Sequence, residues 1–129
     1  MKGLRKKIML VEDHVLLAVL ETKILQKAGY EVLHFINGED AVEQINRGAS
    51  FDLIIMDIDL GEGINGVTAA RKISKLREIP VIFFTSYSED EVEKLAGNFN
   101  SYTYLSKLSP VNRLHITLAN ILSATRVIL

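Results

Sequence analysis

At 129 residues the chain has room for one domain that buries about two thirds of the surface its unfolded form would expose, and none for a second module. Apolar residues at 48% and charged residues at 24% exclude the disordered and fibrous classes, and a net charge of -1 argues against a dedicated nucleic-acid surface. The basic cluster Lys2, Arg5, Lys6 and Lys7 is followed by only four apolar residues before Glu12 and Asp13, too few for a secretory core. No apolar run approaches the roughly 20 residues of a membrane span, and cysteine is absent, which fits a reducing compartment. The expectation is a cytoplasmic domain without a membrane or nucleic-acid partner.

In chain order, Lys7 to Glu12 reads as a short apolar strand, followed by a helix with Leu17, Leu20, Ile24 and Ala28 on its inward face and Gly29 at its end. Glu31 to Ile36 is a second strand. Asn37 then caps a helix that carries Ala41, Val42 and Ile45 inward and closes at Gly48. The unbroken apolar run Leu53 to Met56 reads as a strand buried on both faces, ending abruptly at Asp57 and Asp59 and a glycine-rich loop. Asn65 caps the next helix, with Val67, Ala70, Ile73 and Leu76 inward. Pro80 opens the strand VIFFT, where a missing N–H is tolerated. Ser88 and Glu91 form a capping box for a helix that buries Val92 and Leu95. Tyr102 to Leu105 is a weaker fifth strand. Ser109 and Pro110 open a last helix with Val111, Leu114, Leu118, Ile121 and Leu122 on its buried side.

Five strands alternating with five helices over residues 1–129 predict a single doubly wound (βα)5 domain: a five-stranded parallel sheet with helices on both faces, flavodoxin-like. The apolar tail Val127, Ile128 and Leu129 has no polar stop signal. Either the last helix docks to its end, or the chain is a piece of a longer one.

In this topology Glu12, Asp13, Asp57, Thr85 and Lys107 all fall at carboxyl ends of strands, the edge where open parallel sheets place their ligands. Singly, each has a plain structural explanation: a helix cap, a strand end, a solvated loop cation. Together, three carboxylates at one point repel by several kcal/mol unless a cation holds them. A hard divalent metal bound by oxygens, with Lys107 beside it, resolves the repulsion.

The motifs VED, LIIMD, FFTS and YLSK, at the ends of the first, third, fourth and fifth strands, resemble the receiver domain of two-component response regulators over essentially the whole chain. The resemblance implies that Asp57 is the phospho-acceptor, taking a phosphoryl group from a phosphohistidine on a sensor histidine kinase or phosphotransfer protein. It implies Mg²⁺ held by Asp13 and Glu12, partly through water, with the Asp57 carboxylate and the main-chain carbonyl of Asp59. Thr85 would donate its hydroxyl to a phosphoryl oxygen, Lys107 would pair with another, and Tyr104 would be the aromatic that switches with Thr85. The domain would catalyse only its own phosphorylation and dephosphorylation, act as a monomer or a phosphorylation-dependent homodimer, and signal through helix 4, strand 5 and helix 5 to a protein partner that the residues do not identify.

Departures from the family pattern are Leu108 in place of the usual proline after Lys107, Gly61 where proline is common, and a GEGING loop one residue longer than the commonest form. Asp59 and Tyr87 stand two residues after Asp57 and Thr85, positions that by the resemblance would border the phosphoryl group. DIDLG with a longer glycine loop is similar to receivers of sensory hybrid kinases and their partner regulators. His14 reads as a surface residue opening a helix in preference to a metal ligand. Three rival readings are weaker. A haloacid-dehalogenase-type phosphatase would use Asp57 and Asp59 but needs its nucleophile on the first strand; a flavodoxin-type flavin site would meet two repelling carboxylates at Glu12 and Asp13; a receiver-like interaction module would not accept phosphate.

Overall fold

The computed structural model describes residues 5–110 and 112–124. They form β1 (Lys7–Val11), α1 (Val15–Lys27), β2 (Glu31–Phe35), α2 (Gly38–Asn46), β3 (Leu53–Met56), α3 (Gly66–Ser74), β4 (Val81–Thr85), α4 (Glu89–Ala96), β5 (Thr103–Ser106) and α5 (Asn112–Ala124). Every strand pairing is parallel, in the order β2-β1-β3-β4-β5. This is the flavodoxin-like doubly wound order, with its topological switch between β1 and β3. The chain winds outward from β1 to β2 and then returns to start β3, so the connections leaving β1 and β3 diverge and open a crevice at their carboxyl ends.

The strand pleat divides the core. Ile8 and Leu10 of β1, Leu53 and Ile55 of β3 and Ile82 of β4 pack against Ala18 and Leu25 of α1 and Leu114, Leu118 and Leu122 of α5. Met9, Val11, Ile54, Met56 and Phe83 face the opposite way, against Ala41 and Ile45 of α2, Val67, Ala70 and Ile73 of α3 and Val92 of α4. Both faces of the central strands are thus dry, which accounts for their continuous apolar runs.

Side-chain caps set the helix starts. Asn37 accepts the Asp40 N–H (2.7 Å), Asn65 the Thr68 N–H (2.9 Å), and Ser88 and Glu91 satisfy each other's backbone N–H groups (3.1 and 2.8 Å). His14 caps α1, its Nδ1 accepting the Leu17 N–H (3.3 Å), so an exposed capping role replaces any metal-ligand reading. In the β3–α3 loop, Glu39 of α2 accepts the Ile64 N–H (2.9 Å) and ties the glycine-rich segment down. Gly63 (φ +91°) passes so close that a Cβ there would lie 2.4 Å from a Glu39 carboxylate oxygen.

The helix faces differ from the sequence expectation in three places. In α1, Leu17, Leu20, Ile24 and Ala28 are exposed, while Ala18 and Leu25 are buried. This helix is apolar around most of its circumference, so the sheet takes the stripe through Ala18 and Leu25 and leaves the bulkier one outside. Leu95 of α4 is exposed because Val92 and Ala96, one turn apart, make the contact. Leu76 lies beyond the end of α3 and is exposed. The fifth strand starts at Thr103, one residue later than expected. Lys2, Val111, Val127, Ile128 and Leu129 lie outside the described residues. None of the described helices is long and apolar enough to cross a membrane.

Candidate functional site

The ends of β1 and β3 are fixed to each other and to β2 by the sheet ladder: Asp57 N–H donates to Val11 C=O (3.0 Å) and Glu12 N–H to Phe35 C=O (3.0 Å). Across from them Lys107 N–H donates to Thr85 C=O (2.8 Å), which sets the lysine at the end of β5. Its ammonium reaches back over the crevice to Asp57 Oδ2 (2.8 Å) and Glu12 Oε1 (2.5 Å). The remaining carboxylate oxygens are also engaged: Asp57 Oδ1 accepts the Ile58 N–H (2.7 Å) and Glu12 Oε2 the His14 N–H (3.1 Å). Glu12 is only 2% exposed and Asp57 8%, so both carboxylates depend on these partners. Burial alone would pull the Lys107 pKa down, but hydrogen bonds and charge from Asp57 and Glu12 outweigh it and hold the ammonium above its ordinary 10.5.

Asp13 is exposed and completes an acidic group, with one oxygen each of Glu12, Asp13 and Asp57 within 4.8 Å of one another. Three carboxylates facing one ammonium leave a negative excess, and their all-oxygen donor set suits a hard divalent cation such as Mg²⁺, which binds through a few carboxylates and keeps several waters. Asp59 is exposed, and its side chain turns into its own loop to accept the Gly61 N–H (3.2 Å).

Thr85 and Tyr104 are linked through the backbone of one residue, Tyr87. The fully buried Thr85 Oγ1 accepts the Tyr87 N–H (3.2 Å), and Tyr104 Oη donates to the Tyr87 carbonyl (2.7 Å). Among the described residues the Thr85 hydroxyl proton has no acceptor, and neither Asp57 nor the Lys107 ammonium bonds to it. Glu12, Asp57 and Lys107 therefore form one hydrogen-bonded group with Asp13 within 4.8 Å of its carboxylates, whereas Thr85, Tyr87 and Tyr104 form a chain beside it. Leu108, which stands in place of the usual proline, supplies an N–H that a proline lacks, and it donates to Ser106 Oγ (3.0 Å).

Two residues that sequence reasoning passed over belong to this region. Gly66, the first residue of α3, donates its N–H to Ile58 C=O (2.8 Å), so close to the strand end that a Cβ would fall 1.9 Å from the Asp57 carbonyl oxygen. Glu21 of α1 stands on the side of the helix between Ala18 and Leu25, and its Oε1 is the one buried side-chain N or O atom among the described residues with no hydrogen-bond partner. Burial first, and then the negative charge of Glu12, push its carboxyl from 4.5 up to about 7, with Lys107 pulling the other way and Asp57 adding to the rise. Nothing in the sequence marked it, because the apolar stripe of Leu17, Leu20 and Ile24 points to a different inward face from the one through Ala18 and Leu25.

Residues 8–119 match the family model of the response regulator receiver domain. The chain is 37% identical over 123 residues to the uncharacterized transcriptional regulatory protein YbdJ of Bacillus subtilis, covering 95% of this chain and 52% of that protein. It is 33% identical over 106 residues to the transcriptional regulatory protein CrdR of Helicobacter pylori, covering 81% and 49%. The chain thus spans about half the length of the curated relatives it matches. Among solved structures, the N-terminal domain of a response regulator/sensory box/GGDEF 3-domain protein from Carboxydothermus hydrogenoformans superposes with a TM-score of 0.82 at 38% identity, covering 93% of this chain and 95% of that one. A two-component response regulator from Clostridium difficile, 24% identical, shares the fold with a TM-score of 0.85 over 95% of this chain and 100% of the other.

Proposed function

The chain belongs to the response regulator receiver family, and from that premise we propose that it accepts a phosphoryl group on Asp57 from a phosphohistidine of a sensor histidine kinase or phosphotransfer protein. The observation that carries the reading is the Asp57 carboxylate at the end of a buried strand, 2.8 Å from the Lys107 ammonium and grouped with Glu12 and Asp13. In the transfer, Asp57 Oδ2 forms a bond to phosphorus as the P–N bond to the donor imidazole breaks, and the electron pair stays on the imidazole, which takes up a proton. Asp57 Oδ1 keeps the Ile58 N–H and so holds the carboxylate plane while its other oxygen reacts.

Glu12, Asp13, Asp57 and the main-chain carbonyl of Asp59 are the proposed ligands of Mg²⁺, which supplies neutralisation of charge on the transferring phosphoryl group. Lys107 contributes a second positive charge beside the same oxygens, and Thr85 has a free hydroxyl proton for one of them. Because Thr85 Oγ1 holds the Tyr87 N–H and Tyr104 holds the Tyr87 carbonyl, a shift of the Thr85 hydroxyl is transmitted to the loop before α4 and to β5. The α4–β5–α5 face is therefore the proposed docking surface for a downstream protein, or for a second copy in a phosphorylation-dependent homodimer. A cytoplasmic setting and self-directed chemistry without turnover of an external substrate belong to the same proposal. The phosphatase alternative places its nucleophile on the first strand, whereas Asp57 follows β3.

The test is incubation with Mg²⁺ and acetyl phosphate followed by intact-mass measurement. Wild type should gain one phosphoryl group and Asp57→Asn none. Labelling that persists in Asp57→Asn, or continuous hydrolysis of a generic phosphate ester by wild type, would overturn the proposal.

A further inference from the structure

Lys107 occupies the oxygens that a divalent cation would need. Its ammonium bridges Glu12 and Asp57, two of the three carboxylates grouped at the crevice, using two of its three N–H bonds. A cation seated on those carboxylates competes for the same lone pairs and repels the ammonium, so Lys107 needs another acceptor within reach of its flexible stem.

A cavity of about 190 Å³ between α1 and the β5–α5 connection supplies one. Its walls include Leu17, Leu20, Phe84 and Pro110, and the two charged side chains lining it are Lys107 and Glu21; neither Glu12 nor Asp57 reaches it. Lys107 thus has the crevice carboxylates on one side and this largely apolar chamber on the other, with its ammonium 5.8 Å from the Phe84 ring centroid. Glu21 lines this cavity, and its Oε1 is buried without a partner, the arrangement that costs a fold most when nothing ever fills it. A carboxyl this desolvated gains more from an approaching ammonium than from any other group on the cavity wall.

We propose that Glu21 is a positioning residue for Lys107, a second acceptor to which the ammonium turns when a divalent cation occupies Glu12, Asp13 and Asp57. In the metal-free site Lys107 guards the acidic group. With the cation in place, Glu21 holds the ammonium off the metal's ligands, on the cavity side of the crevice. The inference rests on the reading of the acidic group as a Mg²⁺ site, and its test separates the two.

The experiment is a Mg²⁺ titration of the unphosphorylated protein, followed by amide chemical shifts at Glu12, Asp13 and Asp57, for wild type, Glu21→Gln, Lys107→Ala and the double variant. Glu21→Gln is nearly isosteric, and thermal unfolding checks that all four are folded. With Lys107 present, Glu21→Gln should weaken Mg²⁺ binding about five- to tenfold, because the ammonium loses its alternative seat; in the Lys107→Ala background the same change should have under about a twofold effect. Equal weakening in both backgrounds would mean that Glu21 acts only through its own charge, and no weakening in either would mean that Lys107 does not need it. Each result overturns the inference while leaving the metal site intact. Absence of Mg²⁺ binding in wild type would overturn the metal site and the inference with it.

Discussion

Gly66→Ala places a methyl group where the structure has no room for one. The new Cβ would lie 1.9 Å from the Asp57 carbonyl oxygen, 2.9 Å from its carbonyl carbon and 2.9 Å from Met56 Cγ. Two of those atoms are backbone at the end of a fully buried strand, so relief requires about 1 Å of movement between α3 and β3, not a rotamer change. The Gly66 N–H bond to Ile58 C=O (2.8 Å) lies on the path of that movement and is strained or lost. Overpacking with a lost buried hydrogen bond is expected to cost about 3 kcal/mol or more, measured by urea unfolding followed by circular dichroism. Displacing the Asp57 backbone also misaligns its carboxylate with Lys107, so the initial rate of labelling by acetyl phosphate, measured cold where the variant is folded, should fall by roughly 100-fold. Gly38→Ala is the control. Its Cβ would meet Ala69 Cβ and Ile64 Cγ1 at 3.0 Å, contacts with side chains and not with the Asp57 backbone, so it should cost about 1 kcal/mol and leave labelling within about twofold. A Gly66→Ala protein that unfolds and labels like Gly38→Ala would refute the reasoning, because α3 would then be free to yield without moving the acceptor.

Three further outcomes follow from the same geometry. Glu21 has a carboxyl raised from 4.5 to about 7, so the folded chain holds a proton that the unfolded chain releases; in metal-free buffer its contribution is complete below about pH 4.5 and is lost as the pH rises toward about 7. Discounted for partial exposure this amounts to about 2 kcal/mol, and Glu21→Gln should flatten that part of the stability profile while the wild-type slope remains. Lys107→Ala leaves Glu12 buried opposite Asp57 without a cation: urea unfolding in chelator should show a loss of about 3 kcal/mol that millimolar Mg²⁺ largely restores, with labelling retained but the accompanying hydrogen-exchange change at α4, β5 and α5 abolished. Tyr104→Phe removes one hydrogen bond, to Tyr87 C=O, and should cost about 1 kcal/mol while uncoupling hydrogen exchange in the β4–α4 loop from phosphorylation; an unchanged exchange response would place the coupling elsewhere.

The strands and caps were legible because their signals are local. A doubly buried strand needs an unbroken run such as Leu53 to Met56, and Asn37, Asn65 and the Ser88–Glu91 pair do within one turn what their residue types allow. The grouping of Glu12, Asp13, Asp57 and Lys107 follows from topology alone, since parallel strands deliver their carboxyl ends to one edge. The inward face of α1 was not legible. Leu17, Leu20 and Ile24 make a better apolar stripe than Ala18 and Leu25, and only the close approach of helix to sheet, which favours a small residue, selects the second. Nor could the sequence reveal Gly66 as a contact point or Glu21 as a buried acid, because both depend on how two elements distant in sequence fit together.

The same distinction bears on how a change at Asp57 travels. α4 is held at its far end by Arg71 of α3, whose guanidinium donates to the carbonyls of Leu95 (3.3 Å) and Ala96, closing the last turn from outside the helix. Its near end is joined to the site through Tyr87, whose N–H donates to Thr85 Oγ1 and whose carbonyl accepts from Tyr104 Oη. A helix pinned at its C-terminus and pulled at its N-terminus pivots more readily than it slides. In the proposed switch the largest displacement therefore falls at the start of α4, around the acidic turn Glu89, Asp90 and Glu91, and decreases toward Ala96. Releasing the Arg71 clamp should convert that graded motion into a translation of the whole helix. In the proposed switch, the device that localises the response thus lies in a contact between α3 and α4, away from the residues proposed to touch the phosphoryl group.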